Sequence, residues 1–128
     1  MSVRRWAARL LRGLVILLLL VDAFGKLAGV VAVVEGTARL GYPVRFVLVI
    51  GLLELLCTLA YAVPRTAAVG AVLLTGYLGG AVASHLRIED PVFTHVLSPV
   101  YMAVMIWIGA LLDDDRLRRA FMRAEPAV

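Results

Sequence analysis

Long apolar runs separated by short polar clusters set the plan of this chain. The first run extends from about Leu10 to Val31 and continues as a shorter apolar stretch to Leu40, where Gly41-Tyr42-Pro43 breaks it. A second covers about Val44 to Val63 and stops at Pro64. A third follows Arg65, from Thr66 to about His85, and the polar turn Arg87-Ile88-Glu89-Asp90-Pro91 closes it. A fourth runs from about Thr94 to Leu112, ahead of Asp113-Asp114-Asp115-Arg116 and a basic tail. About 20 mostly apolar residues cover a hydrocarbon core about 30 Å thick, so each run predicts one transmembrane helix. Two-residue alternation is absent, which excludes a closed barrel, the other architecture that satisfies backbone groups in lipid. The expected fold is all-α: a four-transmembrane-helix bundle forming one domain over residues 1–128, with spans at about 10–31, 44–63, 66–85 and 94–112.

Composition supports that plan. The chain is 62% hydrophobic, against about 45–50% for soluble domains, and the excess calls for a membrane. The net charge of +4 could suggest nucleic acid, but the arginines cluster beside the apolar runs, as membrane topology and anionic lipid require. The N-terminus, the second connection and the tail carry nine basic residues, against three (Arg39, Arg45 and Arg87) on the other side. The positive-inside rule then puts both termini in the cytoplasm. Arg4 to Arg12 followed by Leu14–Val21 resembles a signal peptide, but apolar sequence continues to Val34 with no small-residue cleavage site, so a retained anchor is expected. A single cysteine, Cys57, excludes an intramolecular disulfide and dithiol exchange, and reads as a packing residue.

Three ionisable residues interrupt the oily runs: Asp22 and Lys26 in the first, Glu54 in the second. Each costs about 2.5–3.5 kcal/mol at mid-bilayer, so each is expected to face the bundle interior with a partner. Asp22 and Lys26, four apart, share a face with Gly25 and Gly29. Gly51, Glu54, Thr58 and Tyr61 form one stripe of the second helix. Gly76, Gly80 and Ser84 form a small-residue ridge on the third, expected to pack within the monomer, with a dimer seam as the alternative. Tyr77 and His85 lie on the adjacent line, and Pro99 is expected to kink the fourth helix. At about 1.5 Å of rise per residue, Glu54 and Tyr77 fall near mid-membrane and His85 and His95 near the outer mouth.

Asp22, Lys26, Glu54, Tyr77, His85, Arg87 and His95 are therefore the candidate lining of a polar cavity opening away from the cytoplasm. The trio of charges sums to minus one, and burial disfavours a charged carboxyl. Glu54 is expected to hold a proton for much of the time or to be balanced by His85 or Arg87. The spacing of His85 and His95 matches no zinc motif, so no metal is expected, although those two are the candidates for one. The plain alternative is an ion-pair network that fixes helix register without a ligand.

The order and spacing of several segments resemble the DoxX-like family of small four-helix membrane proteins. They are Gly25-Lys26-Leu27, Leu40-Gly41-Tyr42-Pro43, Gly51-Leu52-Leu53-Glu54-Leu55, Val63-Pro64-Arg65-Thr66-Ala67, Gly76 through Arg87, and Asp90-Pro91-Val92-Phe93-Thr94-His95. The resemblance implies a bacterial integral protein of the cell membrane. Some relatives are linked to redox systems, as a subunit associated with thiosulfate:quinone oxidoreduction or as a partner in a membrane oxidoreductase complex. It implies quinone as the candidate cofactor, since the chain has no flavin, haem or iron–sulfur motif, and points to an accessory subunit with no catalysis of its own. The competing expectations are a proton-coupled small-molecule transporter, against which Lys26 argues by repelling a cationic substrate, and a membrane scaffold without a ligand.

Overall fold

The computed structural model describes residues 2–123, and every regular element among them is helical. Helix α1 spans Val3–Ala28, and the Ser2 side chain caps it by accepting from the Arg5 amide. Its buried residues, Ala8, Arg12, Val15, Leu19, Ala23 and Lys26, recur every three or four positions and form one stripe. Gly29 ends the helix in the left-handed conformation (φ 70°), and its amide bonds back to the last turn.

The first apolar run is therefore two helices rather than one continuing rod. Helix α2 (Val31–Arg39) turns 94° away from α1 across the Gly29 break. Gly25 allows that fold-back, since a Cβ there would sit 2.9 Å from the Val33 side chain. A short 3₁₀ turn, Val44–Phe46, leads into α3 (Val47–Ala62), which ends ahead of Pro64. Helix α4 (Ala67–Arg87) returns, and Gly70 is the point where its backbone meets that of Tyr61 at the end of α3. A π-helical turn, Val92–Val96, precedes α5 (Ser98–Asp113). Pro99 sits in the first turn of α5, where its missing N–H has no helical partner to lose, so it starts the helix and does not kink it. Helix α6 (Asp115–Met122) begins at the Asp114 cap, which accepts from the amides of Arg116 and Leu117.

Helices α1, α3, α4 and α5 form a closed ring in which each packs on two neighbours: α1 and α4 both lie between α3 and α5. The centre is apolar, built from Val15, Leu19, Tyr61, Ala71, Leu74 and Ile106, with Trp107 packed against it. The outside is apolar too: Leu14, Leu17, Leu52, Leu56, Val72 and Val104 are among many large side chains left exposed. Such a continuous oily exterior suits lipid and not water. Three helical segments (Val44–Ala62, Ala67–Arg87 and Val92–Asp113) are long and apolar enough to cross a membrane, and the bent pair α1–α2 makes a fourth when counted as one span. Helix α1 carries Arg12, Asp22 and Lys26 within its apolar length, and of these Arg12 and Lys26 are buried in the bundle. The Gly76/Gly80/Ser84 ridge does not pack as a unit within the monomer: Gly76 and Gly80 are exposed with open space where a Cβ would be. Only Ser84 is buried there, bonding back to the Gly80 carbonyl at 2.8 Å.

Candidate functional site

At the α2 end of the bundle the ring opens into a cavity of about 730 Å³. Its floor is a polar network contributed by three helices. Lys26 Nζ, from α1, donates to Asp22 one turn earlier and to Glu54 Oε2 of α3 at 2.9 Å. The Tyr77 hydroxyl of α4 donates to the same Glu54 oxygen at 3.1 Å. The side chains of Lys26 and Glu54 are only 8% and 2% exposed, whereas that of Asp22 is 51% exposed and reaches the cavity. Gly51, one turn before Glu54, makes the pairing possible: a Cβ there would lie 2.7 Å from Lys26 Cβ, so α1 and α3 approach closely at this level. Both of Glu54's bonds fall on Oε2, and Oε1 accepts none among the described residues.

The walls are mostly apolar, and the far rim is polar again, from Tyr42, Ser84, His85, His95 and Ser98. Tyr77 and Ser84 are seven residues apart on α4, so floor and rim are separated by about 10 Å. Helix α2 forms one wall and is fastened at its end. Arg39 holds Asp90 through two bonds, at 2.9 and 3.0 Å, and His85 Nδ1 donates to the same carboxylate at 2.5 Å. The hydrogen bonds from Arg39, and then from His85, hold the Asp90 carboxyl below the usual carboxylate range. Tyr42 OH donates to Ser84 Oγ at 2.7 Å, since the serine proton is already committed to Gly80. Arg87 donates to the Leu40 carbonyl beside Gly41, whose φ of 95° and lack of a side chain leave room for the guanidinium.

Of the seven residues singled out from the sequence, Asp22, Lys26, Glu54, Tyr77, His85 and His95 line this one cavity and Arg87 does not. Balance for Glu54 comes from Lys26 rather than from His85 or Arg87, which are occupied by Asp90 and the Leu40 carbonyl. The rings of His85 and His95 meet edge-on at 5.9 Å, and His95 Nδ1 lies 2.8 Å from Thr94 Oγ1. Among the described residues no group of three or more His, Cys, Asp or Glu side chains is placed to hold a metal.

A second buried charge lies at the opposite end of the ring and escaped the sequence reading, which treated it as a flanking topology charge. Arg12 pairs with Asp113 of α5, donates to the Tyr61 carbonyl at 2.7 Å and lies over the Tyr61 ring at 5.0 Å. Tyr61 OH donates onward to the Ile106 carbonyl at 2.9 Å. The signal was present: Arg12 stands three before Val15 and fourteen before Lys26 on the apolar stripe of α1. The acidic segment Asp113–Asp115, just after the fourth apolar run, supplies the partners, Asp113 for Arg12 and Asp115 for Arg4.

Long apolar helices around an apolar-walled cavity with a polar floor define a small all-helical membrane protein. The chain belongs to the DoxX-like family, whose model matches residues 10–109. That match contains the whole floor network and the Arg39–Asp90 clasp, and it stops short of Asp113. No curated protein and no solved structure matches the chain.

Proposed function

We propose that this is a four-span protein of the bacterial cell membrane, with both termini cytoplasmic, whose cavity holds a lipid-soluble ligand by its polar head. The candidate ligands are a quinone or a lipid, and the proposed role is that of an accessory subunit to a membrane oxidoreductase system, without catalysis of its own. One observation carries the reading: a cavity of about 730 Å³, within the usual 300–1,000 Å³ of ligand sites, has apolar walls and a few convergent polar groups at its floor. The third N–H of the Lys26 ammonium is a donor for a carbonyl oxygen there, and Glu54 offers a carboxyl able to exchange a proton with it. The distribution of arginines supports the orientation, which sets the cavity towards the outer face.

The test is protection against thermal unfolding in nanodiscs by a short-chain ubiquinone analogue. Protection at 100 times the dissociation constant amounts to about 2.7 kcal/mol. Lys26→Met and Glu54→Gln should remove it while Tyr101→Phe, outside the cavity, should not. An analogue that gives no protection, or protects all variants equally, overturns the reading. A scaffold role then stands in its place, and reporter fusions at each terminus test the orientation independently.

A further inference from the structure

The floor network is unbalanced in charge, and its carboxylates keep acceptor sites that no described residue fills. Lys26 is the one cation at the floor, and its ammonium is tied between Asp22 and Glu54. Asp22, Lys26 and Glu54 sum to minus one when ionised. Carboxylate capacity remains at the floor: Asp22 is half-exposed and lines the cavity, and Glu54 Oε1 accepts no bond among the described residues. The groups facing Glu54 are Asp22 and Lys26 on α1, Cys57 on its own helix and Tyr77 on α4, and Lys26, shared with Asp22, is the one cation among them. The cavity-lining residues of α5 are Ser98, Pro99 and Met102, none of them charged. On α2 Arg39 is spoken for by Asp90, and His85 and His95 lie at the rim. Lys26, which in the sequence argued against a cationic ligand, is thus already neutralised where it stands.

We propose that the excess negative charge of the Asp22–Lys26–Glu54 trio is answered alternately by a proton on Glu54 and by the ammonium group of a lipid-soluble amine, each excluding the other. The proposal rests on reading the cavity as a ligand site and adds the charge of the ligand, which a neutral head group leaves unanswered. The exchange balances: the amine enters as its cation, forms hydrogen bonds to the two carboxylates, and one proton leaves Glu54 for water. No covalent bond of the ligand changes. Binding of amine is thereby coupled to proton release, the elementary step of a proton-coupled exchange.

The experiment is calorimetric titration of the protein in nanodiscs with 1-aminoadamantane, and with its neutral isostere 1-adamantanol, from pH 6 to pH 8. Two buffers of different ionisation enthalpy count the protons released. The expected result is amine binding at least tenfold tighter than the alcohol, strengthening with pH, with up to one proton released per amine at the acid end. Asp22→Asn, at the half-exposed position and so the variant expected to fold, should weaken the amine at least tenfold and the alcohol by a much smaller factor. Glu54→Gln should abolish proton release. Equal affinity for amine and alcohol, or amine binding without proton release at any pH, overturns the proposal. If the ubiquinone analogue still protects the protein in that case, the cavity remains a ligand site and only the charge exchange fails. If neither probe binds, both fall.

Discussion

The bundle buries a cation at each end, and the two are held in opposite ways. Arg12 sits one-to-one with Asp113, presses on the Tyr61 ring and donates to the Tyr61 carbonyl, while its Nε is buried without a partner among the described residues. The cavity beside it is only about 140 Å³. Lys26 sits between two carboxylates, one of which opens into a space about five times larger. A balanced pair beside a small cavity ties the first span to the last. An unbalanced trio facing a large cavity has capacity left over for something from outside. Burial of a charge alone does not mark a site; the imbalance and the space do.

The largest effect should come from the Arg12–Asp113 pair. Arg12→Ala leaves Asp113 and the Tyr61 carbonyl without their donor, and breaking such a pair costs about 3–5 kcal/mol. Since Asp113 is 29% exposed and can be partly solvated, the lower end, about 3 kcal/mol, is expected. It would be read as a fall in the detergent melting temperature. The protein that remains folded should bind ligand with unchanged affinity. A large loss of binding with little loss of stability would reverse the assignment of the two ends.

Lys26→Met should cost less, about 2 kcal/mol, because Glu54 can take up a proton and Asp22 reaches the cavity. Adding Glu54→Gln removes the stranded carboxylate and should recover about 1 kcal/mol, a coupling within the range for contacting charges. The single variant and the double variant should both lose ligand protection. If stability returns in the double variant and binding does not, the trio's function is separable from its contribution to the fold. No such recovery is expected for Arg12→Ala combined with Asp113→Asn, since the Tyr61 carbonyl stays unpaired.

Each cation also has a glycine against its stem, which permits a matched pair of substitutions. Gly51→Ala would place a Cβ 2.7 Å from Lys26 Cβ and 3.3 Å from the Ala23 carbonyl, a rigid wall that forces α1 from α3. Gly109→Ala would meet Arg12 Cγ at 2.7 Å and Tyr61 OH at 3.1 Å, further out along side chains that can give. Overpacking costs about 1–3 kcal/mol, so about 2 kcal/mol is expected for Gly51→Ala and about 1 kcal/mol for Gly109→Ala. Only the former should weaken ligand binding. Comparable loss of binding in both would mean that the two ends are mechanically coupled.

Much of this was legible in the sequence where local periodicity decides the outcome. The stripe Gly51–Glu54–Thr58–Tyr61 follows from spacing on one helix, and its burial follows from the cost of Glu54 in lipid. The 94° turn at Gly29 was not read, because the apolar run continues through it and a single glycine is tolerated in many helices. Arg87 was misplaced for a different reason: its partner is a backbone carbonyl at the end of α2, a pairing that exists only once α2 has folded back. The exposed Gly76 and Gly80 show the limit of the small-residue rule, which says where backbones can approach and not whether anything does.

The smallest effect concerns the Arg39–Asp90–His85 clasp that closes the cavity wall near its rim. Asp90 receives Arg39 and His85, and those bonds lower its affinity for a proton below the ordinary value of 3.8. A carboxyl held lower in the folded state contributes stability that is complete above its ordinary value and is lost as pH falls through the lowered one. The difference in melting temperature between wild type and Arg39→Ala should therefore be larger well above pH 3.8 than below it, shrinking as Asp90 takes up its proton. Arg39 is itself largely exposed, so even the larger difference should be smaller than for any variant above. Ligand affinity should change little, because the clasp fastens α2 at the rim and the polar head of the ligand sits at the floor. If instead Arg39→Ala accelerates ligand dissociation without changing the melting temperature, α2 is a gate rather than a wall, and the cavity's asymmetry with the Arg12 end becomes one of access as well as of charge.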